Sequence, residues 1–191
     1  MRLRGAATQP EPSVTNASDF DAFFDGEFSY VWNTLRRLGI SERDLEDVTH
    51  EVFLQVYMRW SAFDPARAVR PWLFGFAYRF AADYRRLARH RLVLVGDVTE
   101  IESATPGGTD VQHDELLRAR EAAELVELGL ARLEFEQRAV FVMHDIDGCA
   151  MSEVAAALSI PVNTGYSRLR LARARFAAAV RKSKLAGGHE P

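Results

Sequence analysis

Residues 152–175 read SEVAAALSIPVNTGYSRLRLARAR. A short helix, a tight turn carrying Pro161 and a second helix follow one another, and the second helix holds four arginines and no acid. That is the outline of a helix-turn-helix, which lays its second helix along a nucleic acid. Ala155 stands where the two helices press together, Leu158 and Ile160 bracket the turn, and Pro161 presets the backbone. Asn163 or Thr164 is expected to cap the second helix. Leu169, Ala172 and Phe176 face inward, which leaves Ser167, Arg168, Arg170 and Arg173 for DNA. Arginine bonds bidentate to guanine, and arginine or serine can hold phosphates.

A second basic segment lies about eighty residues upstream. Residues 71–86, PWLFGFAYRFAADYRR, interleave aromatics with arginines. Bases stack on aromatic faces and arginine neutralises phosphate, so such a surface can hold single-stranded or flipped bases. Trp72, Leu73, Phe76 and Phe80 are read as core, and Tyr78, Arg79, Tyr84 and Arg85 as surface. Charge along the chain is segregated. Residues 59–91 hold eight arginines against Asp64 and Asp83, and residues 166–184 hold seven basic residues and no acid. Residues 11–51 hold ten acids, and residues 97–127 nine. The net charge of −3 therefore conceals two basic faces on an acidic body.

No strand-like alternation appears, and the chain reads as all-α: two small helical domains joined by a flexible acidic linker. Residues 1–17 are polar, without periodicity, and are expected to be a disordered extension. A helix from Ser18 or Asp19 carries the stripe Phe20, Phe24, Phe28, Val31, Leu35 and Leu38 and ends at Gly39. Ser41 caps the next helix with Asp44 as its box partner, and Leu45, Val48, Val52, Val56 and Trp60 form that stripe. Phe63, Asp64 and Pro65 break the pattern. A third helix starts near Pro71 and carries Trp72, Leu73, Phe76, Phe80 and Leu87. The resulting division is a domain over 18–91, a linker over 92–114, a second domain over 115–184 and a frayed tail over 185–191. In the second domain, helices are expected over about 115–133 and 135–144, followed by the helix-turn-helix pair.

The residues also exclude several classes. No apolar run approaches the roughly 20 residues of a membrane span, and residues 1–18 lack the apolar core of a secretory signal. A single cysteine, Cys149, rules out an internal disulfide framework and fits a reducing cytoplasm; it reads as a small buried residue. No zinc spacing, Walker loop or catalytic triad is present, and His50-Glu51 lacks a second histidine four residues after the first. No catalytic residue, metal or cofactor is expected.

With both halves in view, the chain resembles bacterial RNA polymerase sigma factors of the sigma-70 family, in the extracytoplasmic-function (ECF) subfamily. The first half carries the likeness in DLEDVTHEVFL (44–54), FDP (63–65), PWLF (71–74) and DYRR (83–86). The second carries it in ARL (131–133), QRAVF (137–141), EVAAALSIPVNT (153–164) and SRLRLAR (167–173). Each match is short; their order and spacing are specific.

The resemblance implies roles. Asp44, Glu46, Asp47, Glu51 and Gln55 would meet the clamp helices of the polymerase β′ subunit. Arg67, Arg70, Tyr78, Arg79, Asp83, Tyr84, Arg85 and Arg86 would capture and melt the −10 element. Asn163, Thr164, Tyr166, Ser167, Arg168, Arg170 and Arg173 would read the −35 element. Core polymerase, through β′ and the β flap, promoter DNA and an anti-sigma partner are the implied partners, in the cytoplasm, and the acidic linker would occupy the RNA exit path. Several positions depart from the family pattern: Ala150 for a capping Ser or Thr, which would delay the first motif helix to Ser152; Gly165 inside the recognition helix; Tyr166 and Leu171 where basic residues are usual; and Leu133-Glu134 for Leu-Pro. Two other readings stay open on the residues: a helix-turn-helix regulator acting without replacing sigma, and a sigma-like partner-binding protein that has lost promoter recognition.

Overall fold

The computed structural model describes residues 17–64, 66–95 and 113–187. Among these the chain forms seven α-helices: α1 (Ala17–Leu38), α2 (Glu42–Met58), α3 (Val69–Val95), α4 (His113–Ala131), α5 (Phe135–Phe141), α6 (Met151–Leu158) and α7 (Val162–Gly187). A single 3-10 turn, Trp60–Ala62, follows α2, and a π-helical turn, Val142–Ile146, continues α5. The expected N-terminal extension, Pro65, most of the linker and the last four residues lie outside the described residues.

The N-terminal unit is α1, α2 and α3. Its apolar stripes meet as anticipated: Val31, Leu35, Leu38, Leu45, Val52, Val56, Leu73 and Phe74 are all but inaccessible. The phenylalanines of the first stripe build an aromatic end to this core, with Phe24 and Phe28 against Phe53 at ring distances of 4.6 and 6.2 Å. Gly39 ends α1 at a φ of +93°, a conformation that glycine adopts without steric cost. Its amide donates to Arg36 O at 2.9 Å, and the Ile40 amide donates to Leu35 O at 3.1 Å. Those two bonds are a Schellman closure, sealed by buried Ile40.

Three local expectations change. Ser41 makes no capping bond to the backbone; its hydroxyl donates instead to the Asp44 carboxylate at 2.6 Å. Leu87 is 56% exposed rather than core, because it falls off the buried face of α3. The third helix begins two residues before Pro71 and continues to Val95.

The C-terminal unit is α4 to α7. Leu130, Val140, Met143, Val154 and Ala172 are buried in it, and Phe176 stacks on Phe141 at 4.7 Å. The helix α6 starts at Met151, not Ser152. Alanine offers no side-chain acceptor, but the Ala150 amide donates to Glu153 Oε2 at 2.8 Å, so one half of the capping arrangement survives without a hydroxyl. The recognition helix starts earlier than expected, at Val162: the Gly165 amide donates to Pro161 O at 3.1 Å, which puts Asn163 and Thr164 inside the first turn rather than at the cap. It also continues through Leu185 to Gly187, where a frayed tail was expected.

Gly165, a departure from the family pattern, has a packing reason. A Cβ there would sit 2.5 Å from Met151 Sδ, so its absence lets α6 and α7 close on each other. Ser159 turns the corner at a φ of +54°. The buried apolar residues of the two units form one continuous cluster.

Candidate nucleic-acid interface

The helix α3 presents its polar residues in three directions. Arg79, Asp83 and Arg86 form an exposed stripe, with Arg86 bonded to Asp83 at 3.1 Å. Arg79 lies along its own helix: its Nε donates to Gly75 O at 2.9 Å, and its guanidinium sits 5.3 Å from the Phe76 ring. Its side chain is exposed. Tyr84 turns to α2, where its hydroxyl donates to Asp44 Oδ2 at 2.6 Å beside the Ser41 hydroxyl. Those two hydrogen bonds, Ser41's first, hold the Asp44 carboxyl below the usual carboxylate range. Thus Asp44, expected at the polymerase surface, and Tyr84, expected at DNA, share one hydrogen-bonded cluster. Arg67 lies just before α3 and Arg70 in its first turn. Arg67 pairs with Asp64 at 3.6 Å, and Arg70 covers the Tyr30 ring at 5.0 Å.

Tyr78 and Arg85 take the third direction, toward the C-terminal unit. Tyr78 stacks on Phe135 at 5.1 Å with the rings 11° apart. Arg85 lies 5.2 Å from the centre of the same ring. Burial and then the charge of Glu136 raise the Tyr78 pKa, while Arg168 opposes them. A residue expected to meet one DNA element is therefore within electrostatic reach of a residue expected to meet the other.

Beside this contact Arg138 is buried, 8% exposed, and its Nε has no hydrogen-bond partner. Loss of hydration, then repulsion from Arg85, lowers its pKa to about 10, so it stays charged at neutral pH. An unmet buried donor costs about 1–3 kcal/mol. The contact between the units therefore carries both a favourable stack and an unfavourable buried cation.

The helix α7 is open by comparison. Asn163, Tyr166, Ser167, Arg170 and Arg173 are exposed, and Thr164 and Arg168 are half-buried. Leu169 and Ala172 anchor the opposite face, 3% and 0% exposed. Arg173 is engaged: Nε and Nη2 donate to the two oxygens of Asp145 at 2.8 and 2.7 Å. Those bonds, with a smaller share from His144, hold Asp145 below its ordinary pKa.

On α2, Glu46, Asp47 and Glu51 are exposed, and Gln55 is half-buried. Sequence reasoning missed Leu54 and Met58, 59% and 69% exposed on the same helix. Their signal was available: both fall off the Leu45-Val52-Val56 stripe, so the core cannot use them. Among the described residues no cluster of His, Cys, Asp and Glu could hold a metal, and no helix is long and apolar enough to cross a membrane. Cys149 is half-buried, with its thiol pushed up to about 11 chiefly by burial, which leaves it unreactive.

Two family models match this chain: Sigma-70 region 2 over residues 27–91 and Sigma-70 region 4 over residues 123–176. The first covers α2, most of α3 and the second half of α1; the second covers about half of α4, all of α5 and α6, and the first half of α7. Among relatives, the sigma factor CnrH of Cupriavidus metallidurans is 32% identical over 75% of this chain and 76% of its own length. The ECF sigma factor SigL of Mycobacterium tuberculosis is 31% identical over 90% of both chains. Among solved structures, CnrH in complex with the cytosolic domain of CnrY superposes with a TM-score of 0.61 at 25% identity, covering 90% of this chain and 93% of that one. The sigma factor RpoE of Bartonella quintana in complex with the anti-sigma factor NepR superposes at 0.63 with 18% identity, covering 86% and 98%, a likeness of fold. With both regions in their order and relatives matched along most of their length, this chain belongs to the ECF RNA polymerase sigma factors of the sigma-70 family.

Proposed function

We propose that the chain works as a two-handed promoter reader for core RNA polymerase, with residues 18–91 as the −10 and polymerase-binding domain, 92–114 as the linker and 115–184 as the −35 domain. The observation that supports this reading is the pair of exposed arginine stripes on two helices of different units: Arg79 and Arg86 on α3, Arg170 and Arg173 on α7. Each unit folds one apolar face into the core and leaves a basic one to water. One stripe lies beside aromatics suited to unstacked bases; the other lies on a helix-turn-helix suited to an intact major groove.

The energetics of melting fit this division. Opening DNA costs about 1.4 kcal/mol of stacking per step, and each base stacked on an aromatic side chain returns about 1–3 kcal/mol. A few captured bases can therefore tip an opening that polymerase already favours. Glu46, Asp47 and Glu51, with Leu54 and Met58 among them, offer a basic-rimmed apolar partner both charge and contact area. That is the surface we assign to the β′ clamp helices, with the β flap meeting the C-terminal unit. The chain does no chemistry of its own and acts in the cytoplasm, where polymerase is. An anti-sigma protein is a further partner, by analogy with the complexes of CnrH with CnrY and RpoE with NepR.

The test is run-off transcription with purified core polymerase on genomic fragments. The reading expects discrete start sites that need the chain and that share two upstream elements at fixed spacing. Operator binding by the free chain, with no effect on core polymerase, would instead indicate the regulator. Specific transcription that survives Arg168→Ala with Arg173→Ala would favour a partner-binding protein that no longer reads the upstream element.

A further inference from the structure

The exposed side of α7 mixes two kinds of chemistry. Asn163, Ser167 and Arg170 are polar and exposed, and beside them stand Val162, 42% exposed, and Tyr166, 55% exposed. Residues four apart lie one above the other on a helix, so Val162 and Tyr166 form an apolar step at the start of α7. That end of the second helix is the part a helix-turn-helix brings to the base edges. The core does not use the step, because the inward face of α7 is Gly165, Leu169 and Ala172. Among the described residues neither side chain has a hydrogen bond, ion pair or ring contact.

Two neighbouring contacts decide what the step can meet. Gly165 packs so closely that a Cβ there would lie 2.5 Å from Met151 Sδ, which fixes the turn bearing Tyr166 against α6. Arg173, further along the same side, gives Nε and Nη2 to Asp145 at 2.8 and 2.7 Å. The edge with which it would fork guanine is filled, and Nη1 is left to suit a phosphate. On that side the Tyr166 ring is the large group offered to bases, and the major groove shows an apolar group one apolar mark, the C5-methyl of thymine. We propose that Tyr166, with Val162 beside it, selects thymine in the upstream element by burying its methyl group. This rests on the assignment of α7 as the reader of that element, and it gives a reason for tyrosine where the family pattern has a basic residue.

The test is a selection from promoters randomised over the upstream element, with holoenzyme assembled from core polymerase and the full chain. The parent should enrich thymine opposite the start of α7, and Tyr166→Ala should lose that preference while the other preferences remain. Tyr166→Arg should turn it toward guanine, a gain that misfolding does not produce. Deoxyuridine then removes the methyl alone. Replacing a selected thymine by deoxyuridine should weaken open-complex formation by the parent about fourfold, the worth of one buried methylene-sized group, and should leave Tyr166→Ala unaffected. Equal use of thymine and deoxyuridine by the parent, or thymine selection that persists in Tyr166→Ala, overturns the proposal. So does a weakened grip of Tyr166→Ala on core polymerase with unchanged selection, which makes the ring a protein contact. If the holoenzyme shows no start sites at all, the sigma reading falls, and the same comparison on duplexes selected by the free chain decides the contact: thymine choice that needs Tyr166 upholds it, and its absence overturns it.

Discussion

The helices α3 and α7 carry similar charge and stand in opposite circumstances. On α3 the aromatic and arginine residues fitted to bases divide between solvent, the neighbouring α2 and the other unit: Tyr78 is stacked, Tyr84 is hydrogen-bonded inward, and Arg79 and Arg86 remain exposed. On α7 the exposed face runs from Asn163 through Tyr166, Ser167 and Arg170 to Arg173, which pairs with Asp145. On the proposed reading the two helices would meet different partners, α7 an intact major groove and α3 unstacked bases.

The comparison can be broken most severely at its common support. Leu35 is fully buried in α1, the helix that also carries Tyr30 and Arg37, both bonded to Asp147 of the other unit. Leu35→Ala should cost about 3 kcal/mol. At about 2–4 °C per kcal/mol for a chain of this size, the midpoint of thermal unfolding should fall by roughly 10 °C. Both faces lose their positions, and circular dichroism melts check it.

The next effect separates the faces. Arg170→Ala on the open helix should lower promoter-directed transcription about tenfold, the loss of one good DNA contact, with no change in melting temperature. Tyr78→Ala on α3 should reduce transcription too, but it also removes the stack on Phe135, so the chain should lose about 1 kcal/mol of stability. An equal stability cost for the two would erase the distinction.

A smaller change sharpens the open side alone. Ser159 holds a φ of +54° at the end of α6, where the Ile160 amide donates to Ala155 O at 2.9 Å. Ser159→Gly should relieve about 1 kcal/mol of left-handed strain and raise the melting temperature by a few degrees, with transcription unchanged.

The smallest is a pH effect with opposite signs on the two sides. Asp145, beside α7, has a lowered pKa, caused first by its bonds to Arg173. Its contribution is present at neutral pH and is lost as pH falls through that lowered value, so Asp145→Asn should flatten the acid limb of the melting curve. Asp147, facing α1, has a raised pKa, caused first by burial. Its protonated form is favoured in the folded chain, so the folded state should gain slightly as pH falls through that raised value before acid unfolding sets in. Melting curves of the Asp145→Asn and Asp147→Asn variants against pH read the two separately.

Much of this was legible in the residues. The stripes Val31-Leu35-Leu38 and Leu45-Val52-Val56, the stop at Gly39 and the inward positions Leu169 and Ala172 follow from helical period and glycine chemistry, and they are buried as expected. Helix starts were less legible. Ala150 has no side-chain acceptor, so the start of α6 depended on Glu153 reaching back, and Pro161 rather than Asn163 opens α7. What one chain of letters could not show was the contact between units. Tyr78 and Phe135 are far apart in sequence, each reads as an ordinary aromatic on its own helix, and no periodicity couples them. Leu54 and Met58 were hidden for a related reason: an apolar residue beside a packing stripe has no periodic signal of its own to show that it stays exposed.

The central claim is that α3 and α7 act at two separate places on one promoter. Permanganate and hydroxyl-radical footprinting of complexes formed by core polymerase, this chain and a mapped promoter tests it most directly. The account predicts two protected elements with reactive, unstacked thymines only at the downstream one. Arg79→Ala should erase the reactivity while the upstream protection stays, and Arg170→Ala should erase the upstream protection first. A single protected element, or two elements that respond identically to both substitutions, would contradict it.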